Sequence, residues 1–268
     1  EQLDHFPLQH FWGPLAGIAS TAWIVDSAVL AAQQYQPHFF YLYLPQLDYA
    51  AQKSGPDSEP AASAVRELDE VLGKLVSGFE QAYASHHELT WIAVSEYVIT
   101  AVDHVSYPNR ELRSAGLLQV TAGEDGEHLD LQKSDAWALV DHQFSHVFVR
   151  DADPQLCERV RSCFEKMPGI AEVLVGDERG KYAMDHPRSG EVILISEPNS
   201  WQAYYWWLED NQAPAFATTV DIHRKPGYDP VELCWDQAIP GVPLDATRIR
   251  GSHGAPVSSR QQVGVALS

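Results

Sequence analysis

A strand, a long helix and a second strand follow one another early in the sequence, and this order constrains the fold more than any other feature. Residues 38–44 (HFFYLYL) and 89–95 (LTWIAVS) are short apolar runs of the kind typical of buried strands. Residues 61–85 lie between them and repeat apolar side chains at helical spacing. Two strands joined by a helix form a right-handed βαβ unit of a parallel sheet. The sequence therefore predicts an α/β protein with a largely parallel central sheet flanked by helices.

The remaining patterns predict more elements of both kinds. Helices are expected at residues 19–35 and 153–166, and strands at residues 136–142, 146–150 and 191–196. We expect a single domain over residues 1–268, with residues 105–200 as a cap-like or inserted α+β subregion. The aromatic cluster at residues 201–207 (WQAYYWW) is typical of a core or an interface, and stacking on a nucleobase or sugar is the alternative.

The charge balance restricts the classes of partner. The chain has 37 acidic and 18 basic residues, which give a net charge of −19, and such a surface repels nucleic acids and anionic membranes. An anionic substrate would need a local positive charge, which a bound metal ion can supply. No apolar run approaches the ~20 residues that a membrane span requires. The three cysteines form no even set and no CxxC spacing, which predicts free thiols in a reducing compartment and a cytoplasmic protein.

Two side chains follow the first predicted strand at positions suited to a shared ligand. Open α/β sheets bind ligands outside the carboxyl ends of their strands, and Asp48 lies just beyond residues 38–44. If the chain turns helical here, Asp48 and Gln52 share one face of the helix. The pair could then converge on one metal ion or one phosphate. The alternative is that Asp48 only caps the helix.

A second carboxylate, Glu96, follows the next predicted strand and would point into the same crevice. Hard cations prefer such oxygen ligands, and Zn²⁺ accepts them alongside histidine. An exposed glutamate at the start of a loop is the alternative.

Asp141 next to His142 is a pairing found at metal and acid–base sites. Strand histidines that bond to backbone carbonyls are the alternative for His142 and His146.

Two late segments add further candidates. Asp221 and His223 are expected on the same face of a strand, and Arg224 and Lys225 form the densest positive charge in this acidic chain. Such cations could hold a phosphate, and a charged turn is the alternative. His253 stands between glycines, where the backbone can approach an ion closely, or else in a surface loop.

The order of these motifs resembles the alkaline phosphatase superfamily, in particular its type I phosphodiesterase/nucleotide pyrophosphatase branch. Asp48 and Gly55-Pro56 match that branch's pattern D-x-x-x-H-x-x-G-P, with Gln52 in place of the histidine. Residues 95–98 (SEYV) stand where the branch has S-D-H-G, and residues 251–254 (GSHG) match its late G-x-H-G. Further runs are similar to a bacterial subgroup of the family, namely FWGP, NRELRSAGLL, DHQ, HPRSGE and DIHRKPGYDPVEL.

The resemblance implies an alkaline phosphatase-like fold and metal-dependent hydrolysis of phosphodiester or pyrophosphate bonds in a small phosphorylated or nucleotide-like substrate. It implies two divalent metal ions, zinc first, with manganese or magnesium as alternatives. The implied metal ligands are Asp48, Gln52, Glu96 and His253, with His223 as ligand or phosphate contact. Arg224, Lys225 and His142 are the expected substrate-binding residues.

Two departures from the family pattern bear on activity. Gln52 and the Glu96-Tyr97 pair replace strong zinc ligands with weaker ones. The family's hydroxyl nucleophile belongs to an N-terminal segment that we do not find, so no catalytic nucleophile is assigned in this chain. The chain is therefore expected to be the C-terminal portion of an enzyme, completed by a further segment or by a separate chain. The alternatives are a catalytically silent binding protein that has lost its ligands, and a mutase or transferase on the same scaffold.

Overall fold

The computed structural model describes residues 3–84, 88–236 and 241–257, together with the backbone of residues 265–267. The α-helices within these ranges are α1 (Ile18–Tyr35), α2 (Gln46–Ser54), α3 (Glu59–Tyr83), α4 (Pro108–Ser114) and α5 (Pro154–Phe164). The helices predicted at residues 19–35, 61–85 and 153–166 are thereby confirmed. Within the described ranges, no helix is both long enough and apolar enough to cross a bilayer.

Twelve strands lie in the same ranges and are mostly short. They are β1 (Ile92–Val94), β2 (Thr100–Ala101), β3 (His104–Ser106), β4 (Val120–Gly123), β5 (Gly126–Leu129), β6 (Ala136–Asp141), β7 (Phe144–Val149), β8 (Ile170–Val175), β9 (Val192–Ser196), β10 (Ser200–Gln202), β11 (Gly251–Ser252) and β12 (Val265–Leu267). The strands predicted at residues 136–142, 146–150 and 191–196 correspond to β6, β7 and β9.

The largest described sheet has four strands in the order β6-β7-β9-β8, and all of its pairs are antiparallel. Strands β6 and β7 are joined by the two-residue loop His142–Gln143, a connection that only an antiparallel pair can use. Alternate residues of β6 are buried, whereas all five residues of β9 are buried because it lies inside the sheet. Helix α5, which is capped at its N-terminus by the Asp153 carboxylate, packs on β8 and β9.

Among the described residues, two larger hydrophobic cores and a smaller cluster of Leu174, Ile193 and Ile195 pack these elements together. The larger core lies around the four-stranded sheet and contains the aromatic residues of the segment 201–207, all of them buried. Core packing of this cluster, predicted from the sequence, is confirmed. The second core lies between α1 and α3, where Val25 and Ala32 face Val71, Leu75 and Phe79.

The α/β class is confirmed, but the described strands do not form the largely parallel sheet that the sequence predicts. Residues 39–44 are not assigned to any strand in the described part of the chain. Buried and exposed side chains alternate along this segment, as in a strand. Phe40 and Leu42 pack on the second core, while Phe39 and Tyr41 are 80% and 82% exposed. Strand β1, within the predicted strand 89–95, pairs antiparallel with β12. Apolar alternation sets which face is buried, but it does not specify the partner strand.

Candidate functional site

Helix α2 places Asp48 and Gln52 one turn apart on the same face. The helix begins at Gln46 after Pro45, which makes no side-chain capping bond. Asp48 therefore lies in the first helical turn, and the alternative of a capping Asp48 is wrong. An acidic residue is favourable there because the N-terminal end of the helix dipole is positive. Gln52 is completely buried, and Asp48 is half-buried with its Oδ1 atom shielded from solvent.

The surroundings of Asp48 oppose its negative charge. Burial raises the pKa of this carboxyl group above its usual value, and polar contact with Gln52, the nearby His142 and the Tyr97 hydroxyl offset part of the rise. An acid with a raised pKa gains more from a cationic ligand than a solvated acid does, because the ligand replaces the hydration that burial removed. Asp48 is therefore placed where a positive charge would be stabilising.

Strand β11 brings His253 to the same helix. The backbone N–H of Arg250 donates to the Gln52 carbonyl at 2.8 Å. A Cβ atom at Gly251 would lie 2.3 Å from the Ala51 carbonyl oxygen, so only glycine permits this approach of β11 to α2. Burial, and then the neighbouring His142, lower the pKa of His253 to about 2. Its imidazole is therefore neutral at physiological pH, which is the form that binds metals.

The β6–β7 loop supplies His142. Its backbone has φ 56°, which is uncommon for a residue other than glycine. The loop is fixed by the Gln143 N–H, which donates to the His253 carbonyl at 2.8 Å, and by the Gln202 N–H, which donates to the His142 carbonyl at 2.7 Å. The His142 ring is buried and stacks on the His253 ring, with 3.9 Å between centroids. Its Nδ1 atom lies 2.7 Å from Asp141 Oδ1.

Tyr97 completes the arrangement. Its ring stacks on the other side of His253, with centroids 3.5 Å apart and planes inclined by 4°. Burial raises the pKa of the Tyr97 phenol, and the neighbouring Asp48 and Tyr43 raise it further, so the hydroxyl stays protonated. We call the five side chains Asp48, Gln52, Tyr97, His142 and His253 the polar cluster.

Glu96, predicted as a metal ligand, is exposed, and its neighbour Tyr97 enters the cluster instead. Successive side chains of an extended segment point in opposite directions, so only one of the two can face Asp48. Motif matching alone points to position 96, whereas aromatic size and burial distinguish Tyr97. Sequence reasoning also missed the Tyr43 hydroxyl, which approaches Tyr97 from the end of the extended segment.

The positive residues predicted to bind substrate lie outside the polar cluster. Asp221 is not on a strand with His223, because residues 222–224 form a turn, in which Asp221 Oδ1 accepts the His223 N–H at 3.1 Å. His223 and Arg224 are exposed on this turn, as the charged-turn alternative expects. No hydrogen bond, ion pair or ring contact among the described residues joins either of them to Asp48 or His253.

Lys225 is buried rather than available to a substrate. Its Nζ atom lies 2.9 Å from Asp229 Oδ2 and 2.6 Å from Glu232 Oε1. It also donates to the Thr219 carbonyl at 2.9 Å. Burial raises the pKa of Asp229, while the charge of Lys225 opposes that rise. This ion pair fixes the segment between residues 219 and 232, and its charge is already neutralised within the protein.

The polar cluster fits a divalent cation in the kind of atoms it offers. Asp48 Oδ1, both atoms of the Gln52 amide, His142 Nε2 and Ser252 Oγ are buried without a hydrogen-bond partner. Buried polar atoms are normally paired, and an unpaired one costs about 1–3 kcal/mol. Within the described residues, no three His, Cys, Asp or Glu side chains are arranged to enclose a metal ion. The Asp48, His142 and His253 side chains therefore do not form a complete metal site by themselves.

Comparison with known proteins supports the resemblance drawn from the motifs. The sequence profile of the type I phosphodiesterase / nucleotide pyrophosphatase family matches residues 3–229. No curated protein matches significantly. These findings confirm the alkaline phosphatase-like α/β fold.

Two solved structures illustrate the similarity. Phosphonoacetate hydrolase from Sinorhizobium meliloti 1021, in complex with phosphonoformate, has a TM-score of 0.49 and 15% identity over 71% of this chain and 44% of its own. Murine ectonucleotide pyrophosphatase/phosphodiesterase 5, an inactive form in complex with AMP, has a TM-score of 0.50 and 13% identity over 85% of this chain and 50% of its own. The chain thus spans about half the length of these proteins.

Proposed function

Because this chain belongs to the type I phosphodiesterase/nucleotide pyrophosphatase family, we propose that the complete protein hydrolyses phosphodiester or pyrophosphate bonds with the help of divalent metal ions. The observation that carries the proposal is the polar cluster. Helix α2, the β6–β7 loop and the residues after β11 are far apart in sequence, yet they bring Asp48, His142 and His253 into one buried place. Unpaired donor atoms at that place favour a ligand.

Each side chain has a definite part in the proposed reaction. Asp48 supplies negative charge to a cation, and neutral His253 supplies a nitrogen lone pair. The Tyr97 hydroxyl lies close enough to Asp48 to affect the carboxyl pKa. Asp48 and His253 would help to hold the cation, which would supply Lewis-acid stabilisation of the charge on the phosphoryl oxygen. The hydroxyl nucleophile is proposed to come from a segment outside this chain, either of the same protein or of a partner chain.

The substrate class is proposed from the ligands that the two similar structures contain. The two similar structures hold phosphonoformate and AMP, and both ligands are small anions with a phosphorus-oxygen group. We propose a small phosphorylated or nucleotide-like substrate for this protein. Two divalent ions, zinc first, are proposed for the complete enzyme, of which the described residues offer donors to one. A cytoplasmic location also stays a prediction, which cell fractionation would test.

Metal content and turnover test this function together. The protein, joined to the segment that completes it, should contain a divalent metal and hydrolyse bis(p-nitrophenyl) phosphate. Asp48→Ala should lower kcat/KM by at least 100-fold, because the carboxylate ligand is lost. Asp57→Ala, an exposed carboxylate in the loop after α2, is the matched control and should leave turnover unchanged. Equal activity in Asp48→Ala would rule the proposal out.

A second candidate function is binding without catalysis. The specific observation in its favour is the Tyr97 ring, which covers one face of His253 at 3.5 Å while Gln52 stands where a stronger ligand could be. A protein that retains its scaffold in this way would bind a phosphorylated ligand but contain no metal. Absence of both metal and turnover, combined with saturable binding of AMP in equilibrium dialysis, would favour this candidate.

A further inference from the structure

Large apolar side chains are mostly exposed on two segments of this chain, residues 39–44 and strand β1. Phe39 and Tyr41 are 80% and 82% exposed, and Ile92 and Val94 are 66% and 67% exposed. Single exposed apolar residues are ordinary, whereas several that adjoin one another mark a surface that binds a partner. We call these four side chains the apolar face.

The two segments lie side by side against the same core. The ring of Phe79 in helix α3 contacts Phe40 of one segment and Trp91, next to β1, with 4.7 and 5.4 Å between ring centroids. Towards the other end, Tyr97 lies close enough to Tyr43 to affect the pKa of its phenol group. Because side chains alternate in direction, the residues next to Phe40 and Trp91 point away from the core. The apolar face is therefore one surface on the outer side of both segments.

The backbone of this surface can accept a further strand. Within the described residues, no main-chain hydrogen bond joins residues 39–44 to another segment, and β1 pairs with β12 alone. A segment with free N–H and C=O groups binds an added strand through main-chain hydrogen bonds, while alternate side chains give specificity.

Neither segment carries the charges that normally keep an exposed edge free of partners. Residues 39–44 (FFYLYL) and 92–94 (IAV) contain no charged side chain and no proline, although the chain as a whole has 37 acidic and 18 basic residues. Edge segments that stay exposed are usually protected by lysine, another charge or proline. The apolar face therefore fits an uncharged, apolar strand. A second copy of the chain is disfavoured, because two molecules of net charge −19 repel each other.

Both segments lead directly to the polar cluster. Residues 39–44 are followed by helix α2 with Asp48, and β1 is followed by Tyr97. An attacking oxygen has to come within about 3–3.5 Å of the atom that it attacks. A strand added beside these segments would end at the cluster, where the proposed reaction needs such an oxygen.

We propose that the apolar face is the docking surface for the segment that carries the hydroxyl nucleophile, and that this segment adds to residues 39–44 as an apolar strand. The inference rests on the proposed function, because it takes from there a nucleophile that lies outside this chain. The chain spans 50% of the AMP-bound ectonucleotide pyrophosphatase/phosphodiesterase 5, a difference that leaves length for such a strand. The same face serves whether the segment belongs to the same polypeptide or to a partner chain.

The experiment compares the chain alone with the protein joined to the segment that completes it. Hydrogen–deuterium exchange, followed by mass spectrometry, should be fast at the amides of residues 39–44 in the chain alone. In the completed protein it should be slower by about 100-fold or more, because these amides become hydrogen-bonded. The exposed turn at residues 131–133 is the internal control and should exchange equally in both.

Charged substitutions test the same surface. Tyr41→Lys and Val94→Lys each place a charge on the apolar face, and Val65→Lys is the matched control because Val65 is exposed on helix α3. In the chain alone, all three should leave the urea midpoint within experimental error. In the completed protein, the first two should restore fast exchange of residues 39–44 and lower kcat/KM by about 10-fold or more, because burial of an unpaired charge is unfavourable. Val65→Lys should change neither.

The results separate this inference from the proposed function. Protection of residues 39–44 only in the completed protein, lost in Tyr41→Lys and Val94→Lys, supports the docking surface. Equal exchange in both forms overturns the inference; turnover of bis(p-nitrophenyl) phosphate by that same protein leaves the proposed function standing, and its absence overturns that as well. Protection without turnover counts against the hydrolytic function alone. Protection in the chain alone that disappears on dilution, with a dimer in size-exclusion chromatography, assigns the face to a second copy and overturns the inference. If a lysine variant does not fold, exchange of the unmodified protein decides.

Discussion

Tyr97 is the residue whose chemistry most directly affects the polar cluster. Its hydroxyl lies close enough to Asp48 to affect the carboxyl pKa, while its ring stacks on His253. Tyr97→Phe keeps the stack and removes only the hydroxyl group. We expect it to lower the free energy of unfolding by about 1–3 kcal/mol, since a buried carboxylate loses a polar neighbour. Urea denaturation measures this, with Tyr41→Phe as control because Tyr41 is 82% exposed. Equal stability of Tyr97→Phe and the unmodified protein would show that the hydroxyl makes no net contribution.

Lys225 is the residue on which the neighbouring segment depends. It pairs with both Asp229 and Glu232, and all three side chains are almost completely buried. Lys225→Met leaves two buried carboxylates without a cation, and the free energy of unfolding should fall by about 3–5 kcal/mol.

The control for that substitution is an exposed ion pair. Lys133 pairs with Asp130 at 2.9 Å on the surface, so Lys133→Met should leave the urea midpoint within experimental error. A Lys225→Met protein as stable as Lys133→Met would contradict the assignment of Lys225 to a structural ion pair.

At the scale of elements, strand β8 is joined to the 3₁₀ helix Gly176–Tyr182 through Glu172. Glu172 accepts from Lys181 at 2.5 Å and from Tyr182 at 2.7 Å, and these bonds lower the pKa of its carboxyl group below 4.5. The stabilisation is therefore present above pH 4.5 and is lost as the pH falls through the lowered pKa.

Glu172→Gln tests this contact. The variant should melt about 1–3 °C below the unmodified protein at pH 7, in keeping with a partly exposed pair. The difference should close as the pH falls through the lowered pKa, where the native carboxylate also becomes protonated. Thermal midpoints measured between pH 3 and pH 8 provide the comparison, and a difference that persists unchanged at pH 3 would be inconsistent with the bond as its cause.

The elements also show what the sequence can predict. Helices α1, α3 and α5 are recognisable because their apolar spacing is a local property of consecutive residues. The partners of residues 38–44 and of β1 are not, because pairing depends on chain segments far away in sequence. Within the site, Asp48 was predictable from its motif and from the helix that follows. Tyr97 rather than Glu96 faces the cluster, because successive side chains of an extended segment point in opposite directions. The motif spacing does not specify which of the two neighbours faces inward.

At the scale of the whole molecule, the polar cluster lies where the helical and the sheet portions meet. Asp48 and Gln52 belong to helix α2, next to the α1–α3 core, whereas His142 belongs to the four-stranded sheet. The contact between α2 and β11 joins them, and Trp12 adds a hydrogen bond of 2.6 Å to Glu232. A ligand at the cluster therefore contacts both portions, and its binding should raise the stability of the entire chain.

The junction itself can be tested at Gly251. A methyl group there would lie 2.3 Å from the Ala51 carbonyl oxygen and force β11 away from α2. We expect Gly251→Ala to lower the free energy of unfolding by about 1–3 kcal/mol, because backbone atoms must move, and to weaken Zn²⁺ or Mn²⁺ binding because His253 moves with the strand. Gly73→Ala in α3, where the added Cβ meets no atom within 4 Å, should instead raise stability by about 1 kcal/mol. Calorimetric metal titration and urea denaturation of both variants decide the matter: if Gly251→Ala binds metal as tightly as Gly73→Ala does, the approach of β11 to α2 does not position the site.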